Sequence, residues 1–136
     1  MLVTSACATT SPAKRTEVLS VADAAVIAKR ISGDVAGELP VATSTIWLER
    51  VGDLQGGPGG TLAAETAQAL RDRGFAVAED RAADSAAHAL RVDAQAGDYG
   101  VLVRVDLAPI TSWRYYERQA DGSLLPASAY TRRLDR

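Results

Sequence analysis

The sequence predicts an α+β domain, a small antiparallel sheet with two helices packed on one face. Three observations predict it. Apolar residues recur at helical spacing between positions 24 and 35, and a second helical stretch closes on Gly74. The C-terminal half alternates apolar and polar residues between turn signals. At 136 residues the chain fits one domain. It divides into a leader or tether over 1–18 and a single folded body over 19–136.

Ser20 followed by Asp23 reads as a capping-box variant that starts the first helix. Ala24, Ile27, Ala28, Ile31 and Val35 form its apolar stripe, with Asp23, Lys29 and Arg30 off that stripe. Pro40 disfavours continuation past Leu39. Thr43 to Leu48 is β-branched and aromatic and reads as a strand, with Val41 leading in. Gly52 through Gly60 reads as a loop.

Thr61 can cap a second helix, Leu62 to Arg73, which Gly74 ends. Leu62, Ala63, Thr66, Ala69 and Leu70 form its apolar side, while Glu65, Arg71 and Asp72 face water. A short strand, Phe75 to Ala78, follows, and the polar stretch 79–87 reads as a loop or short helical turn. Leu90, Val92 and Ala94 then alternate with Arg91 and Asp93. After a turn at 96–100, Val101, Val103, Val105 and Leu107 alternate with Leu102, Arg104 and Asp106. Thr111 to Arg118, a turn at Ala120-Asp121-Gly122 and a return strand from Ser123 to Leu134 complete a four-strand meander. Pro126 puts that last strand at an edge or a bulge.

Hydrophobic residues are 47% of the chain but aromatics only 5%, so alanine supplies much of the apolar share. A buried alanine contributes far less than the ~1.5–3 kcal/mol of a buried Val, Leu or Phe. The core is therefore thin, and partners that complete the fold are expected. A net charge of −2 supplies no long-range field of the kind nucleic-acid binders use. No run of about 18 apolar residues exists to form a membrane-spanning helix. The single cysteine, Cys7, excludes an internal disulfide and a cysteine-based metal site.

Small residues before Cys7 and the run Ala8-Thr9-Thr10-Ser11-Pro12 after it resemble the end of a bacterial lipoprotein signal. Only six residues precede Cys7, fewer than a basic end and an apolar segment require. Either the true start lies upstream of Met1, and Cys7 is the lipid acceptor, or Cys7 is an incidental thiol in a Thr/Ser/Ala-rich terminus.

Few groups suggest chemistry. His88 is the only histidine, with Asp84 and Ser85 four and three residues before it. No strained nucleophile turn flanks Ser85, so a solvated loop histidine is the favoured reading. Gly56-Gly57-Pro58-Gly59-Gly60-Thr61 precedes a helix, but the lysine that a phosphate loop needs is absent and Pro58 removes an amide donor. A connector explains it. The closing hairpin is richer: Arg114, Arg118, Arg132 and Arg133 interleave with Trp113, Tyr115, Tyr116 and Tyr130. Such a mixture fits a protein interface, a single-strand stacking surface, or aromatics in a core with arginines in water.

Two stretches carry a family resemblance. Ala63 to Val77 (AAETAQALRDRGFAV) resembles the helix–Gly–strand segment of TrbH-type conjugal transfer proteins. Ser112-Trp113-Arg114-Tyr115-Tyr116 with Asp121 to Arg133 (DGSLLPASAYTRR) is similar to their closing hairpin. The resemblance implies a non-catalytic structural subunit of a conjugative type IV secretion system. It also implies a lipoprotein on the periplasmic face of the outer membrane, held through Cys7 and packed against larger core-complex subunits. It brings no catalytic residue, cofactor, metal or small-molecule substrate. The expected partner-binding residues are Trp113, Arg114, Tyr115, Tyr116, Arg118, Tyr130 and Arg132. The alternative is a periplasmic binding module for peptidoglycan or single-stranded DNA, with nucleic acid the less favoured.

Overall fold

Ser20 caps the first helix as its spacing predicts. In the computed structural model, which describes residues 19–53, 60–78, 80 and 86–135, its hydroxyl accepts the Asp23 N–H at 3.0 Å. Helix α1 (Val21–Glu38) then runs through Gly33 and Gly37, and stops one residue before Leu39-Pro40. Ala24, Ile27, Ala28, Ile31 and Val35 are all buried along it. Asp23 departs from the expectation: it is buried too, because the last hairpin brings an arginine to it. A short 3-10 turn (Val41–Thr43) leads into strand β1 (Thr45–Asp53).

Strand β1 is longer than its β-branched run suggested. An irregularity between Leu48 and Arg50 shifts the alternation by one, so that Ile46 and Val51 both reach the core. Helix α2 (Thr61–Asp72) starts with Thr61 already inside it. The capping position belongs to Gly60, which makes no side-chain cap. Gly74 ends the segment at φ +103°, a conformation that favours glycine, and β2 (Ala76–Ala78) follows. The meander is as read: β3 (His88–Ala96), β4 (Gly100–Leu107), β5 (Ile110–Arg118) and β6 (Leu124–Leu134).

The six described strands form one sheet in the order β2-β1-β3-β4-β5-β6. The expectation of a small antiparallel sheet is corrected on both counts. The sheet is large for the chain, and it is mixed, because β1 runs parallel to β2 and to β3 while every other pairing is antiparallel. The physical reason is the crossover: α2 carries the chain back to the end of the sheet where β1 began, so β2 must run in the same direction. Among the described residues β6 is the sheet's terminal strand, and its register against β5 breaks between Arg114 and Tyr116, where Tyr116 meets Pro126. Pro126 therefore has both an edge and an irregular ladder to tolerate it.

One buried cluster unites α1, α2 and one alternate set of strand residues. Ile27, Ile31, Ile46, Leu70, Leu90 and Leu124 are its largest fully buried aliphatics, each worth ~1.5–3 kcal/mol on burial. Leu90, Val92 and Ala94 on β3 face Leu107, Val105 and Val103 on β4, in register. The other alternate set, Arg91, Asp93 and Gln95 on β3 with Leu102, Arg104 and Asp106 on β4, is half-buried or exposed. Cys7 and the rest of the leader, most of the glycine-rich run, and Asp84 and Ser85 lie outside the described residues.

Candidate functional site

Pleating divides the closing hairpin between two faces of the sheet, because successive side chains point oppositely. Arg114, Tyr116 and Arg118 share the core side of β5 with Ser112, and the ladder sets Tyr130 beside Arg114 and Arg132 beside Ser112. Trp113 and Tyr115 point the other way, opposite Arg104 and Leu102 of β4.

On the core side the arginines meet α1. Arg118 pairs with Asp23 at 3.0 Å, Arg114 with Asp34 at 3.2 Å and Arg132 with Glu38 at 2.9 Å. Asp34 and Glu38 are four residues apart, and Asp23 lies three helical turns before Asp34, so one side of α1 presents all three carboxylates. Arg118 also donates to the Gly122 carbonyl at 2.8 Å, which ties the hairpin turn to the same contact. Arg114 is the most enclosed of the three arginines, with 15% of its side chain exposed. Its guanidinium lies 4.2 Å from the centre of the Tyr130 ring, and its Nε has no hydrogen-bond partner.

Tyr116 is corrected. It was expected to bind a partner, but it is 1% exposed and is a core residue. Burial pushes its phenol well above the ordinary tyrosine value. It is on the inward set because it lies two residues beyond Arg114, across from Val101. The sequence signal of an aromatic-rich hairpin was real, but alternation alone sends half of such a strand inward. Arg114, Arg118 and Arg132 each brace β5–β6 against α1, Arg114 largely enclosed and Arg132 at the surface.

The opposite face is where Trp113 and Tyr115 emerge, both half-buried. The Arg104 guanidinium stands 5.8 Å from the centre of the Trp113 ring. Leu102, 42% exposed, pairs across the ladder with Tyr115. Trp47 belongs to this face by its pairing with Ala89 next to Arg91. Charges between the aromatics are paired: Arg91 with Glu49 at 2.8 Å, Arg50 with Asp93 at 3.2 Å, Arg104 with Asp106 at 3.2 Å and Arg133 with Asp135 at 3.0 Å. Hydrogen bonds from Thr111 and Arg133 hold the Asp135 carboxyl below its usual range. Sequence reasoning missed Leu102, Arg104 and Trp47. Their signal was available in the alternation of β4, but the pairing that sets them beside Trp113 and Tyr115 is non-local.

The remaining candidates stay dispersed. His88 is the first residue of β3, not a loop residue, and pairs with Ile46 of β1. Its imagined partners, Asp84 and Ser85, lie outside the described residues. Among the described residues, no three His, Cys, Asp or Glu side chains gather as metal ligands. No described helix is long and apolar enough to cross a membrane.

The family model described as "Conjugal transfer protein TrbH" matches residues 5–134 of the chain. No curated protein matches, and no solved structure does.

Proposed function

The chain belongs to the TrbH family of conjugal transfer proteins, and from that premise we propose that it is a structural, non-catalytic interaction subunit of a conjugative type IV secretion apparatus. The observation that carries this reading is the sheet face opposite the two helices, where Trp47, Leu102, Trp113 and Tyr115 lie among paired arginines and carboxylates and no described helix packs. Aromatic and arginine side chains on a rigid sheet are the types that anchor protein interfaces. A larger envelope subunit of the apparatus seats on that face.

The domain is tethered on the periplasmic side of the outer membrane through a lipid on Cys7, and the leader spans the gap. The residues proposed to bind the partner are Trp113 and Tyr115, extended by Leu102 and Arg104. Tyr130 and Arg132, both exposed, border the opposite side of the hairpin. The rival nucleic-acid reading loses support on this face. Glu49, Asp93, Asp106 and Asp135 neutralise its arginines locally, which leaves little counterion release to drive binding.

Co-purification from mild-detergent extracts of conjugating cells tests the interface. The wild-type chain brings down an envelope subunit, and Trp113→Ala with Tyr115→Ala loses it while circular dichroism at the assay temperature still reports a folded domain. An unaltered co-purification overturns the interface. Metabolic labelling with a fatty acid tests the anchor: label that is absent, or that survives Cys7→Ala, removes it.

A further inference from the structure

Beside the outer face there is a second surface. A trough runs between α1 and β6, the last strand of the sheet among the described residues. At one end its floor and walls include Leu19, Asp23, Arg118 and Leu124, enclosing 610 Å³. At the other, a space of 650 Å³ lies among Lys29, Arg30, Arg73, Leu125 and Pro126. Val26 and Leu124 line both, so the two recesses are continuous.

The trough is apolar in its middle and cationic at its far end. Val26 is 37% and Leu125 53% exposed, which is large for side chains flanking a well-covered Leu124. Lys29, Arg30 and Arg73 are exposed, and none is paired with a carboxylate among the described residues. Arg73 donates its Nε–H to the Ser32 hydroxyl at 2.9 Å, which fixes it across Gly33 of α1. The acid at this end, Asp34, is already neutralised by Arg114. Glu65 and Asp72 line a neighbouring recess on the α2 side that Lys29 and Arg73 also border, but neither carboxylate is ion-paired with them among the described residues. Arg30 with Lys29 and Arg73 leaves this end of the trough cationic, with its own acid Asp34 already taken by Arg114, and that favours an anionic occupant.

Shape decides which kind. From Ser20 to Gly33 the helix wall is ~20 Å long at 1.5 Å per residue, which accommodates roughly six residues of extended chain at ~3.3 Å each. The opposite wall is the start of β6, Leu124 to Pro126, the last strand of the sheet among the described residues. Pro126 offers no N–H, so an extended peptide is held there chiefly through side chains on the apolar floor and the helix wall.

We propose that the α1–β6 trough binds a short extended segment of a partner protein, apolar where it passes Val26, Leu124 and Leu125 and carboxylate-bearing where it reaches Lys29, Arg30 and Arg73. This goes beyond the outer-face interface and is independent of it.

The test presents the full-length protein to immobilised hexapeptides in which Val or Leu alternates with Glu, with Ser or with Lys. The Glu series should retain about tenfold more protein than the Lys series, and Lys29→Glu with Arg30→Glu should weaken the best binder about tenfold. Both substituted residues are exposed, so an unchanged circular dichroism melt checks the fold. Trp113→Ala should leave peptide binding untouched, so failure here is distinguishable from failure of the outer-face reading. Equal retention by the three series, or retention that survives the double charge reversal, overturns the proposal. So does displacement of the bound Glu peptide by phosphatidylglycerol vesicles at their own lipid stoichiometry, which assigns the cations to lipid headgroups.

Discussion

Replacing Asp34 by alanine removes the carboxylate that holds Arg114, and the cost can be worked from the geometry. One guanidinium nitrogen, Nη2, reaches both Asp34 oxygens, each at 3.2 Å. That is the long end of the N–H···O range, so the pair counts as one charge-assisted bond, worth ~1.5–3 kcal/mol. Removing one partner of a fully buried pair costs about 3–5 kcal/mol, because a charge is stranded. Here Arg114 is 15% and Asp34 27% exposed, so water recovers part of that. The Tyr130 ring at 4.2 Å keeps a cation–π contact of ~0.5–1 kcal/mol. The expected loss is about 2–2.5 kcal/mol, or roughly 8–10 °C in Tm for a domain of this size.

Urea unfolding followed by circular dichroism measures it as a shift in midpoint at constant slope. Asp34→Ala combined with Arg114→Met should then recover at least ~1 kcal/mol, since no unpaired charge remains and the methionine fills the same space. An Asp34→Ala effect below about 0.5 kcal/mol, or a double variant costing the sum of the two single ones, refutes the strut assignment.

Three further outcomes follow from local geometry. A Cβ on Gly100 would collide with the Tyr116 carbonyl oxygen and stand 2.7 Å from the Tyr115 hydroxyl. Gly100→Ala should therefore cost more than ~2 kcal/mol in urea unfolding, whereas Gly122→Ala, at φ +91° in open space, should cost only ~1 kcal/mol. Ser20→Ala deletes the cap on the Asp23 N–H and should lower stability by ~1 kcal/mol, with Ser20→Asp restoring it. Thr111→Val removes the hydroxyl that donates to Asp135 at 2.6 Å, so the Asp135 carboxyl should titrate closer to its ordinary value by NMR. The sign follows from linkage: a carboxyl held low in the folded state adds stability above its ordinary value, and that stability fades as pH falls through the lowered one. The valine variant should lose less on acidification.

The local grammar of the chain was legible wherever one residue decides one geometry. Ser20 before Asp23 announces a cap, Gly74 a left-handed stop, and Leu90-Val92-Ala94 against Val101-Val103 a half-buried hairpin. Strand direction around β1 was not legible, because parallel and antiparallel neighbours show the same short apolar runs. The Leu48–Arg50 irregularity was hidden for the same reason, since it appears only against β3.

The candidate surface shows the same division. Composition alone marked the Trp113–Arg132 hairpin as the place where aromatic and basic residues concentrate, and that is a property of chain order. Which of them reach solvent is a property of the sheet. Pleating sends Tyr116 inward and Trp113 outward, and α1 claims Arg114, Arg118 and Arg132 through carboxylates 80 to 95 residues away in sequence. Sequence by itself determined the two helices, the Ser20 cap, the meander and the family. Tertiary structure decided the open face and the trough, because both are made by side chains that only non-local pairing brings together.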